Sequence, residues 1–536
     1  MKNNIFHPGI SFESNTIYTA ERTVYDIYPS DATETIRHWW TFMNSSGEPL
    51  YAAFVLRNLE NVTIDLGGAK LIFHGRIMPF AVLNCKNVTL RNFSIDYDRP
   101  YFTQGTVVES GDHAVTLEIP PLFRYRIENH DLIAVSDTWE HRLNKGDMLL
   151  RCFDPATTLP SCTSGGILAL IGDEIHPRPN PPAPIHHLYA HDAGENRIQL
   201  TGLPNDFVPR IGEILAMTHE DRRKEGIFLE RSEDTVIEDV RLIHVGAMGV
   251  MAALCHNITV RKLEMYVDET CPDRIVTINA DSFHTFHCSG LIKVEDCRFE
   301  NMLDDAINVH GNYLYCLEKT GDCSIRAASK AQALVQMPFF LPGDSITIYK
   351  QNTQEIRYQG MVESYAYEGN SNTMEIRFRE PIPELMEGDI LESGKMPEIE
   401  VRRCHSRCMG GFRISSSKRV LIEDCTFATS SFSIAFTGDM DYWYENGPVK
   451  DVTIRNCTFT NCGIPIWTAC GFKPTEKAPF YHENIRFTGN TVHLSGGNVM
   501  DLQDVNGITC SGNTITGLRD GRLPFRLLRC CNVSMD

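Results

Sequence analysis

The chain has 536 residues and carries 69 acidic against 50 basic residues, a net charge of −19. A negative surface repels nucleic acid, anionic lipid and polyuronate, so this balance favours a neutral substrate and neither a nucleic-acid nor a membrane partner. The chain has no run of about 18 apolar residues that would span a membrane. Its first residues, MKNNIFHPGISFESNTIYTAERT, hold no secretory leader, so we expect a cytoplasmic protein, or one whose leader was removed.

A short pattern recurs along the chain, in which a polar pair, often ending in Asn, precedes alternating apolar residues. The alternation, rich in β-branched side chains, has the period of a strand. In chain order the copies are ENVTIDLGG, KNVTLRNFSI, DTVIEDVRLI, HNITVRKLEM, LIKVEDCRFE, RVLIEDCTFA, DVTIRNCTFT, NIRFTGNTVHL and GITCSGNTITGL. Neighbouring copies lie 22 to 34 residues apart. This spacing predicts an all-β fold, a parallel β-helix whose stacked coils share one core.

Two stretches interrupt the repeats, and each is rich in short alternating strands with Gly-Asp or Gly-Asn turns. These features predict two inserted barrel-like domains, the first with a proline-rich piece, HPRPNPPAPIHH. The predicted order is first coils in 1–100, an insertion in 101–230, coils with the candidate catalytic residues in 231–314, a second insertion in 315–398 and C-terminal coils in 399–536. Because insertions on repeat scaffolds gather on the binding face, we expect both to wall one side of a cleft.

The 18 cysteines are expected to be reduced thiols, as is usual in a protein without a leader. Three of them, Cys297, Cys425 and Cys457, lie five residues after the leading Val or Ile of their copies, where Asn490 and Asn513 stand in later copies. Stacking at about 4.8 Å predicts an interior ladder of these side chains.

No metal or other cofactor is expected. Neither Cys404 with Cys408 nor the adjacent Cys530 and Cys531 has the paired spacing of a zinc site. The Asn-x-Ser/Thr matches are interpreted as turn and ladder positions and not as glycosylation sites; they include Asn61, Asn87, Asn257 and Asn456.

Adjacent aspartates, Asp304 and Asp305, stand in the segment DDAINVHGNY, and Asp281 precedes Asp304 by 23 residues, close to one short coil. If Asp281 and Asp304 share a slot, they are stacked on one face, and Asp305 either points elsewhere or borders the same cavity. Clustered carboxylates are costly unless a substrate, a cation or shifted pKa values relieve them. Glycoside hydrolysis uses such a pair, one as acid and one as base or nucleophile.

An exposed turn between coils is the alternative interpretation of this aspartate pair, because Asp is common in turns. The neighbouring Asn308, His310 and Tyr313 favour a site, since such groups suit sugar hydroxyls and sugar faces.

Four segments together resemble glycoside hydrolase family 110, the exo-acting α-1,3-galactosidases. They are DDAINVHGNY at 304–313, DSFHTFHCSG at 281–290, FSIDYDRPYFTQG at 93–105 and FTGDMDYWYENGPVKDVTIRNCTF at 436–459, and the likeness runs from about 50 to 515. The resemblance implies a right-handed parallel β-helix with two inserted β-barrel domains, often as a homodimer. It also implies removal of terminal α-1,3-linked galactose from oligosaccharides or glycans with inversion and without a metal.

The resemblance assigns the catalytic roles to Asp281, Asp304 and Asp305. It leaves open which aspartate is the acid and which the base, and Asp304 or Asp305 is expected to position the water. In an inverting enzyme, acid and base stand about 6.5–9.5 Å apart.

The candidate substrate-binding residues are His284, Asn308, His310, Tyr313, Arg413, Trp443 and Glu445. The alternatives are core positions for both histidines and for Trp443, and a solvated side chain for Arg413. The chain departs from the family pattern Phe-Glu-Ser-Gly at Tyr444 and Asn446. It also has Phe283 after Ser282, where the resemblance leads us to expect smaller residues. A pocket narrowed by the bulky Phe283 would alter the preferred aglycone.

Two other functions are compatible with the sequence. One is another β-helix carbohydrate enzyme, a polygalacturonase-like hydrolase or a polysaccharide lyase, which acts on polyanions; salt-insensitive activity on neutral galactosides would separate it from a galactosidase. The other is a non-catalytic carbohydrate-binding β-helix, which would tolerate loss of Asp304 with no change beyond affinity.

Overall fold

The computed structural model describes residues 1–36, 50–143, 148–161, 167–170, 188–219, 224–330, 339–351, 353–369, 371–440, 443–494, 497–518 and 524–536. Apart from a 3-10 turn at Pro29–Asp31, the regular elements in these ranges are β-strands. In the same ranges no helix has the length and apolar character that crossing a bilayer requires. The proline-rich segment 176–187 lies outside the described residues.

Strands that belong to coils make up three parts of the chain. The first coils contain β1 (Lys2–Ile5), β2 (Thr16–Thr19), β3 (Val24–Ile27), β4 (Glu34–Ile36), β5 (Leu50–Arg57), β6 (Glu60–Phe73), β7 (Met78–Leu83) and β8 (Lys86–Tyr97). After the first insertion come β19 (Ile227–Glu230), β20 (Glu233–Leu242), β21 (Val250–Ala253), β22 (His256–Met265), β23 (Phe283–Phe286), β24 (Ser289–Glu295), β25 (Arg298–Glu300) and β26 (Asp305–Asn312). The last part contains β33 (Glu398–Arg402), β34 (His405–Arg407), β35 (Gly410–Ile414), β36 (Arg419–Glu423), β37 (Thr426–Phe427), β38 (Phe432–Thr437), β39 (Glu445–Asn446), β40 (Asp451–Arg455), β41 (Thr458–Thr460), β42 (Ile464–Ala469), β43 (His482–Thr488), β44 (Thr491–His493), β45 (Met500–Ser511), β46 (Thr514–Thr516) and β47 (Phe525–Met535).

The coils stack in parallel, so that each face of the solenoid is a column of strands from successive coils. On one face β8 pairs with β20, β20 with β22, β22 with β24 and β24 with β33, all in parallel. The pairs β8–β20 and β24–β33 join strands on either side of an insertion, so neither insertion interrupts the stack. The parallel β-helix predicted from the repeats is confirmed.

The alternation of buried and more exposed side chains along each strand builds the core. In β22 the side chains of Ile258, Val260 and Leu263 are at most 1% exposed, whereas Thr259 and Arg261 between them are half-buried. Each large apolar side chain buried in this way contributes about 1.5–3 kcal/mol. A single coil has no second layer to cover these side chains, so the stack supplies it.

Asparagines turn the chain at the corners of the coils. Asn61, Asn87, Asn257 and Asn456 all have φ between 54° and 56°. Asn adopts this left-handed conformation more readily than other non-glycine residues do. Asn87 Nδ2 donates to Asn61 Oδ1 at 2.8 Å, so the corner residues also bond from coil to coil. Their predicted role in turns and ladders is confirmed.

The interior ladder runs through the slot predicted from the cysteine spacing. The backbone N–H of Cys425 donates to Cys457 Sγ at 3.4 Å, that of Cys457 to Asn490 Oδ1 at 2.8 Å, and that of Asn490 to Asn513 Oδ1 at 2.8 Å. Each side chain therefore satisfies a buried amide of the preceding coil. Cys404 extends the ladder by donating its N–H to Cys425 Sγ. All cysteines in the described ranges are free thiols.

The first insertion forms two antiparallel sheets. Its strands are β9 (Phe102–Gly111), β10 (Ala114–Glu118), β11 (Tyr125–Glu128), β12 (Asp131–Val135), β13 (Glu140–Arg142), β14 (Met148–Phe153), β15 (Ile167–Leu170), β16 (Tyr189–Asp192), β17 (Arg197–Thr201) and β18 (Ile214–Thr218). Seven of them pair in the order β15-β14-β18-β9-β10-β17-β16, and β11, β12 and β13 form the second sheet. Within the described part of the chain no pairing closes the seven-stranded sheet, so a sheet stands where the sequence predicts a barrel-like domain.

The second insertion is a closed barrel. Its strands are β27 (Leu314–Gly321), β28 (Ser324–Ala328), β29 (Ser345–Tyr349), β30 (Ile356–Tyr367), β31 (Thr373–Phe378) and β32 (Ile390–Ser393). They close in the order β27-β28-β31-β30-β29-β32. The barrel leaves the β-helix directly after β26, which begins at Asp305.

Candidate active site

One face of the solenoid carries a column of polar and aromatic side chains. It is built by β23, β26, β35, β38 and β42, which pair in that order. The pairing aligns His284 with Asn308, Asn308 with Arg413, Arg413 with Ala435, and Ala435 with Trp467. Residues from five coils thus meet on one face because parallel stacking brings them into register.

The three candidate catalytic aspartates lie together at the start of this face. The N–H of Asp305, the first residue of β26, donates to Asp281 Oδ1 at 3.0 Å. One carboxylate oxygen from each of Asp281, Asp304 and Asp305 lies within 4.8 Å of the others. Asp281 is 2% and Asp305 4% exposed, whereas Asp304 is half-buried.

The register of the aspartates differs from the one considered in the sequence. Phe283 pairs with Ile307, an offset of 24 residues, so Asp281 stacks with Asp305 and not with Asp304. The adjacent Asp304 borders the same cavity. The positions expected of Asp304 and Asp305 are therefore exchanged: Asp305 stacks on Asp281, and Asp304 is the neighbour that borders the cavity. Because the number of residues per coil varies from copy to copy, the sequence alone does not show which of two adjacent residues occupies a given position in its coil.

Arg413 forms the cationic side of the aspartate cluster. Its Nε donates to Asp305 Oδ2 at 2.8 Å, its Nη1 donates to Thr437 Oγ1 at 2.6 Å, and its guanidinium lies 5.0 Å from the Phe432 ring centroid. Burial lowers the pKa of Arg413, but the carboxylates of Asp305 and Glu445 outweigh it and raise that pKa. Arg413 is therefore a paired group in the site and not a solvated side chain.

Burial raises the pKa of the Asp305 carboxyl to about 8. The neighbouring charges of Asp304 and Asp281 also raise this pKa, while Arg413 lowers it. The aspartate cluster therefore retains a proton near neutral pH, which a site that must both donate and accept protons requires.

Two histidines connect the aspartates to Glu445. His284 Nδ1 lies 2.5 Å from Asp281 Oδ2, and His284 Nε2 lies 2.8 Å from His310 Nε2. His310 Nε2 in turn lies 3.5 Å from Glu445 Oε1. Burial raises the pKa of Glu445, but His310, Arg413 and His284 outweigh it, so this pKa lies below its ordinary value.

Two groups of three residues hold donor atoms within 4.8 Å of one another, a spacing that a cation could bridge. They are the aspartate cluster and the set of His284, His310 and Glu445. In the second set the two Nε2 atoms face each other at hydrogen-bonding distance, so the histidines use for each other the atoms that a cation would need.

A cavity of about 510 Å³ opens over these groups. Of the ten candidate residues, eight line it: Asp281, His284, Asp304, Asp305, Asn308, Arg413, Trp443 and Glu445. Asn308 is 4% exposed, and its Oδ1 has no hydrogen-bond partner among the residues that the structure describes, so it offers an acceptor to a ligand.

His310 and Tyr313 are not among the residues that line the cavity. His310 lies behind His284, where it is 4% exposed. Tyr313 is fully buried, and its hydroxyl hydrogen-bonds to the hydroxyl of Tyr481. The expected sugar contact of Tyr313 is corrected accordingly, because the chain leaves β26 at Asn312 and enters the barrel.

A short antiparallel strand closes one side of the cavity. β39, which carries Glu445, pairs antiparallel with β26 through Gly311 and Asn446. Tyr444 before it has φ of 54°, a conformation that is rare for a bulky residue and reverses the chain here. The backbone N–H of Trp443 donates to Asp439 Oδ2 at 2.6 Å, which fixes the chain next to the indole ring that lines the cavity.

Neither insertion contributes a lining residue among those that the structure describes. Among the described residues, the expectation that both insertions wall the cleft is not met at this cavity. The described walls come from the coils and from two connecting segments, the first comprising 437–440 and 443–445 and the second 469–473. The barrel lies behind them: Asn446 Nδ2 donates to Glu392 Oε1 at 3.3 Å, and Gln354 Nε2 donates to Cys470 Sγ at 2.8 Å.

Sequence reasoning missed ten lining residues: Thr437, Gly438, Asp439, Met440, Trp467, Ala469, Cys470, Gly471, Phe472 and Lys473. The first four lie within the motif segment 436–459, whose likeness was a usable signal. Trp467 carries a signal only through strand register, because it follows Arg413 by two coils. For 469–473 we find no signal in the sequence.

The family model described as "Right handed beta helix region" matches residues 365–522. Alpha-1,3-galactosidase B of Bacteroides thetaiotaomicron is 30% identical over 530 residues, which cover 95% of this chain and 81% of that protein. Alpha-1,3-galactosidase A of Bacteroides fragilis is 26% identical over 92% of this chain and 80% of that protein. Alpha-1,3-galactosidase B of Phocaeicola vulgatus is 28% identical over 80% of this chain and 71% of that protein.

Proposed function

Because the chain belongs to the α-1,3-galactosidase family, glycoside hydrolase family 110, we propose that it removes terminal α-1,3-linked galactose from oligosaccharides or glycans with inversion. The observation that carries the proposal is a single cavity in which three aspartates, a paired arginine and two tryptophans converge. Hydrolysis of a neutral glycoside requires carboxyl groups in two protonation states and a surface for the sugar ring.

We assign the general acid to Asp304. In an exo-acting enzyme the leaving oxygen points towards the mouth of the cavity, because the rest of the glycan extends outwards. Asp304 is the half-buried member of the cluster, whereas Asp281 and Asp305 lie deeper. The more exposed carboxyl group is therefore the one that can reach the leaving oxygen.

Asp281 then activates the water as the base, and Asp305, whose carboxyl keeps a proton near neutral pH because its pKa is about 8, helps to hold that water. The two aspartates are joined by the 3.0 Å contact from the N–H of Asp305 to Asp281 Oδ1, so a water between them would meet two carboxyl groups of fixed orientation. Arg413 orients Asp305 through its 2.8 Å bond to Oδ2. Fixed geometry of this kind lowers the barrier because little reorganisation is needed during the reaction.

The sugar-binding groups are Asn308, with its open Oδ1, and the two indole rings of Trp443 and Trp467. Indole faces bind the apolar face of a galactose ring, while amide and carboxylate groups bind its hydroxyls. The nearest aspartate oxygens, within 4.8 Å, stand closer than the typical inverting separation of about 6.5–9.5 Å between acid and base. Inversion therefore rests on family membership and needs its own test.

Proton NMR of galactose released from a Galα1-3Gal disaccharide tests the function and the stereochemistry together. We expect β-galactose to be the first anomer to appear, followed by slow mutarotation. If α-galactose appears first, inversion is refuted, but the proposed galactosidase activity stands. No release at all would favour the non-catalytic binding scaffold.

The same assay separates the other alternative. A polyanion-specific hydrolase or lyase would cleave oligogalacturonate and leave the neutral disaccharide intact. For the proposed activity we expect the opposite selectivity and a rate that changes little with salt, because the sugar carries no charge.

A further inference from the structure

The two histidines behind the aspartates form a hydrogen-bonded chain that the hydrolysis as described above does not use. From Asp281 the chain runs through His284 to His310 and ends at Glu445, over contacts of 2.5, 2.8 and 3.5 Å. His284 is 1% and His310 4% exposed, so bulk water does not separate the rings. Phe286 lies beside His310 with its ring 21° from parallel, which keeps that side apolar.

The hydrogen-bond geometry limits where the protons can be. His310 Nδ1 lies 2.6 Å from the carbonyl oxygen of Gly311, which only accepts, so this nitrogen carries a hydrogen and donates. The two Nε2 atoms at 2.8 Å must then share one hydrogen, because two lone pairs or two N–H groups would repel. The 2.5 Å contact between Asp281 Oδ2 and His284 Nδ1 requires a third hydrogen between these two atoms.

Three hydrogens thus occupy the chain of Asp281, His284 and His310, one more than two neutral imidazoles carry. The extra proton can reside on Asp281, on His284 or on His310 without movement of any heavy atom. These three arrangements differ only in which end of the chain is charged, and at the far end Glu445 faces His310.

We propose that His284 and His310 form a proton relay that carries a proton from Asp281 to His310 beside the carboxylate of Glu445. The proposal rests on the proposed function, in which Asp281 receives the proton of the attacking water. In the arrangement with both histidines neutral, Asp281 already holds a proton, and while galactose fills the cavity that proton has no path to solvent through the cavity. The relay moves it to His310, which leaves Asp281 a carboxylate that can accept the proton of the attacking water.

The proton transfer balances. The Asp281 carboxyl O–H gives its proton to His284 Nδ1, and the hydrogen on His284 Nε2 moves to His310 Nε2. Asp281 becomes a carboxylate, His284 remains neutral with its hydrogen on Nδ1, and His310 becomes an imidazolium next to the Glu445 carboxylate. No bond between heavy atoms forms or breaks.

The surrounding charges are consistent with a His310 that is neutral at rest and charged only briefly. Burial and the neighbouring His284 lower the pKa of His310, whereas Glu445 and Asp281 raise it. The other charged or titratable groups that face the chain, among the described residues, are Asp305 beside Asp281, Asp304 and Arg413, which act on Glu445, and His287, which lies near His310. Burial lowers the pKa of His287 to about 3, so this residue is neutral and does not compete for the proton.

Kinetics of His310→Gln and His284→Gln on a Galα1-3Gal disaccharide test the relay. Glutamine keeps hydrogen-bonding groups but does not accept a proton, so we expect kcat to fall at least about tenfold with KM within about twofold. In His310→Ala, added imidazole should restore part of kcat in proportion to its concentration. His256→Gln is the matched control, since His256 is exposed at a corner of the coils, where its Nδ1 lies 3.1 Å from Ser289 Oγ.

The opposite pattern would overturn the relay. If KM rises while kcat is kept, the histidines bind the sugar; if both constants stay within about twofold of the wild type, they have no part in turnover. A wild type that releases no galactose would refute the proposed function and not the relay, for which a second measurement is decisive.

That measurement is NMR of the wild-type protein with ¹⁵N-labelled histidine. The shared hydrogen should give a strongly deshielded imidazole proton that couples to nitrogens of two different rings, and His284→Gln should remove it. Absence of such a proton in the folded wild type would overturn the relay whatever the kinetics show.

Discussion

Asp305 is the residue on which the electrostatics of the site depends. Its carboxyl is buried and has Asp304 and Asp281 as neighbours, which raise its pKa, and Arg413, which lowers it, with a result of about 8. Asp304 differs from it by facing the cavity while half-buried. Two adjacent residues thus have different environments, which suits them to different steps of one reaction.

The substitution Asp304→Asn should reduce kcat by roughly a hundredfold or more, because the amide occupies the same volume but is a far weaker acid. Its effect on the melting temperature should be small, since the side chain is half-buried and a negative charge is removed from a crowded cluster. Steady-state kinetics and thermal unfolding on the same preparation measure both quantities.

Asp234→Asn serves as the control for this change, because Asp234 is an exposed corner residue that accepts from Asn257. It should leave both kcat and the melting temperature near the wild-type values. A near-normal kcat in Asp304→Asn would remove Asp304 from the role of acid.

At the scale of residues, the segments DDAINVHGNY and DSFHTFHCSG were sufficient to predict that the three aspartates cluster and that Asn308 lies beside them. They were not sufficient for the direction of each side chain. Tyr313 follows the last residue of β26, where the alternation of a strand no longer applies, so its position depends on how the barrel begins.

Strand β32 contributes a buried acid directly behind the cavity. Glu392 is 5% exposed and accepts from the hydroxyl of Tyr349 at 2.7 Å and from Asn446 Nδ2 at 3.3 Å. Burial raises the pKa of Glu392 to about 7, against the opposing effects of Tyr349, Lys450 and Asn446. The strand that carries Glu445 therefore rests on a carboxyl group that titrates close to neutral pH.

This shifted pKa predicts how stability changes with pH. Between the ordinary value of 4.5 and about 7 the folded protein keeps a proton on Glu392 that the unfolded chain has released, so the free energy of unfolding falls as the pH rises. Glu392→Gln removes this contribution. Melting temperatures between pH 5 and pH 8 should therefore fall less steeply in the variant than in the wild type.

Glu363→Gln is the matched control in the same barrel, because Glu363 is exposed and bonds to Arg377. Its curve should keep the wild-type slope, and part of that slope will also persist in Glu392→Gln because Asp305 titrates in the same direction. Equal slopes in the wild type and Glu392→Gln would contradict the protonation of Glu392.

At the scale of elements, the repeats predicted the coil strands and the interior ladder because both follow from periodicity. The register that stacks Asp281 on Asp305 was not predictable, since the spacing between copies varies from 22 to 34 residues. The short strand β39 escaped prediction for another reason: two residues carry no periodicity, and its pairing with β26 depends on the reversal at Tyr444.

Across the whole molecule the barrel supports the cavity, and none of its described residues lines the cavity. Gln354 is 1% exposed and reaches two coil residues, Cys470 on the cavity wall and Asp504, which also pairs with Arg529. Through Gln354 and Glu392 the barrel contacts both connecting segments that enclose the sugar site.

We expect Gln354→Ala to raise KM by roughly twofold to tenfold, the equivalent of about 0.5–1.5 kcal/mol for a lost buried hydrogen bond. The reason is that the segment around Cys470 loses the contact that fixes it, whereas the aspartates are untouched, so kcat should change less. Steady-state kinetics on the disaccharide give both constants.

Gln359→Ala on the outer surface of the barrel is the comparison, because Gln359 is exposed and donates to Thr347 Oγ1 within the barrel. It should keep the wild-type KM. An unchanged KM in Gln354→Ala would show that the barrel has no influence on the substrate.

The separation between barrel and cavity also sets how this scaffold can be altered. An engineer who replaced the outer surface of the barrel to attach the enzyme to a solid support would leave every group that touches the sugar in place. The inward contacts would have to be preserved, among them those of Glu392 and Gln354 and the contact of the Tyr349 ring with Phe472. In a repeat scaffold of this kind, the sequence of a large inserted domain can change while the coils retain the candidate catalytic residues.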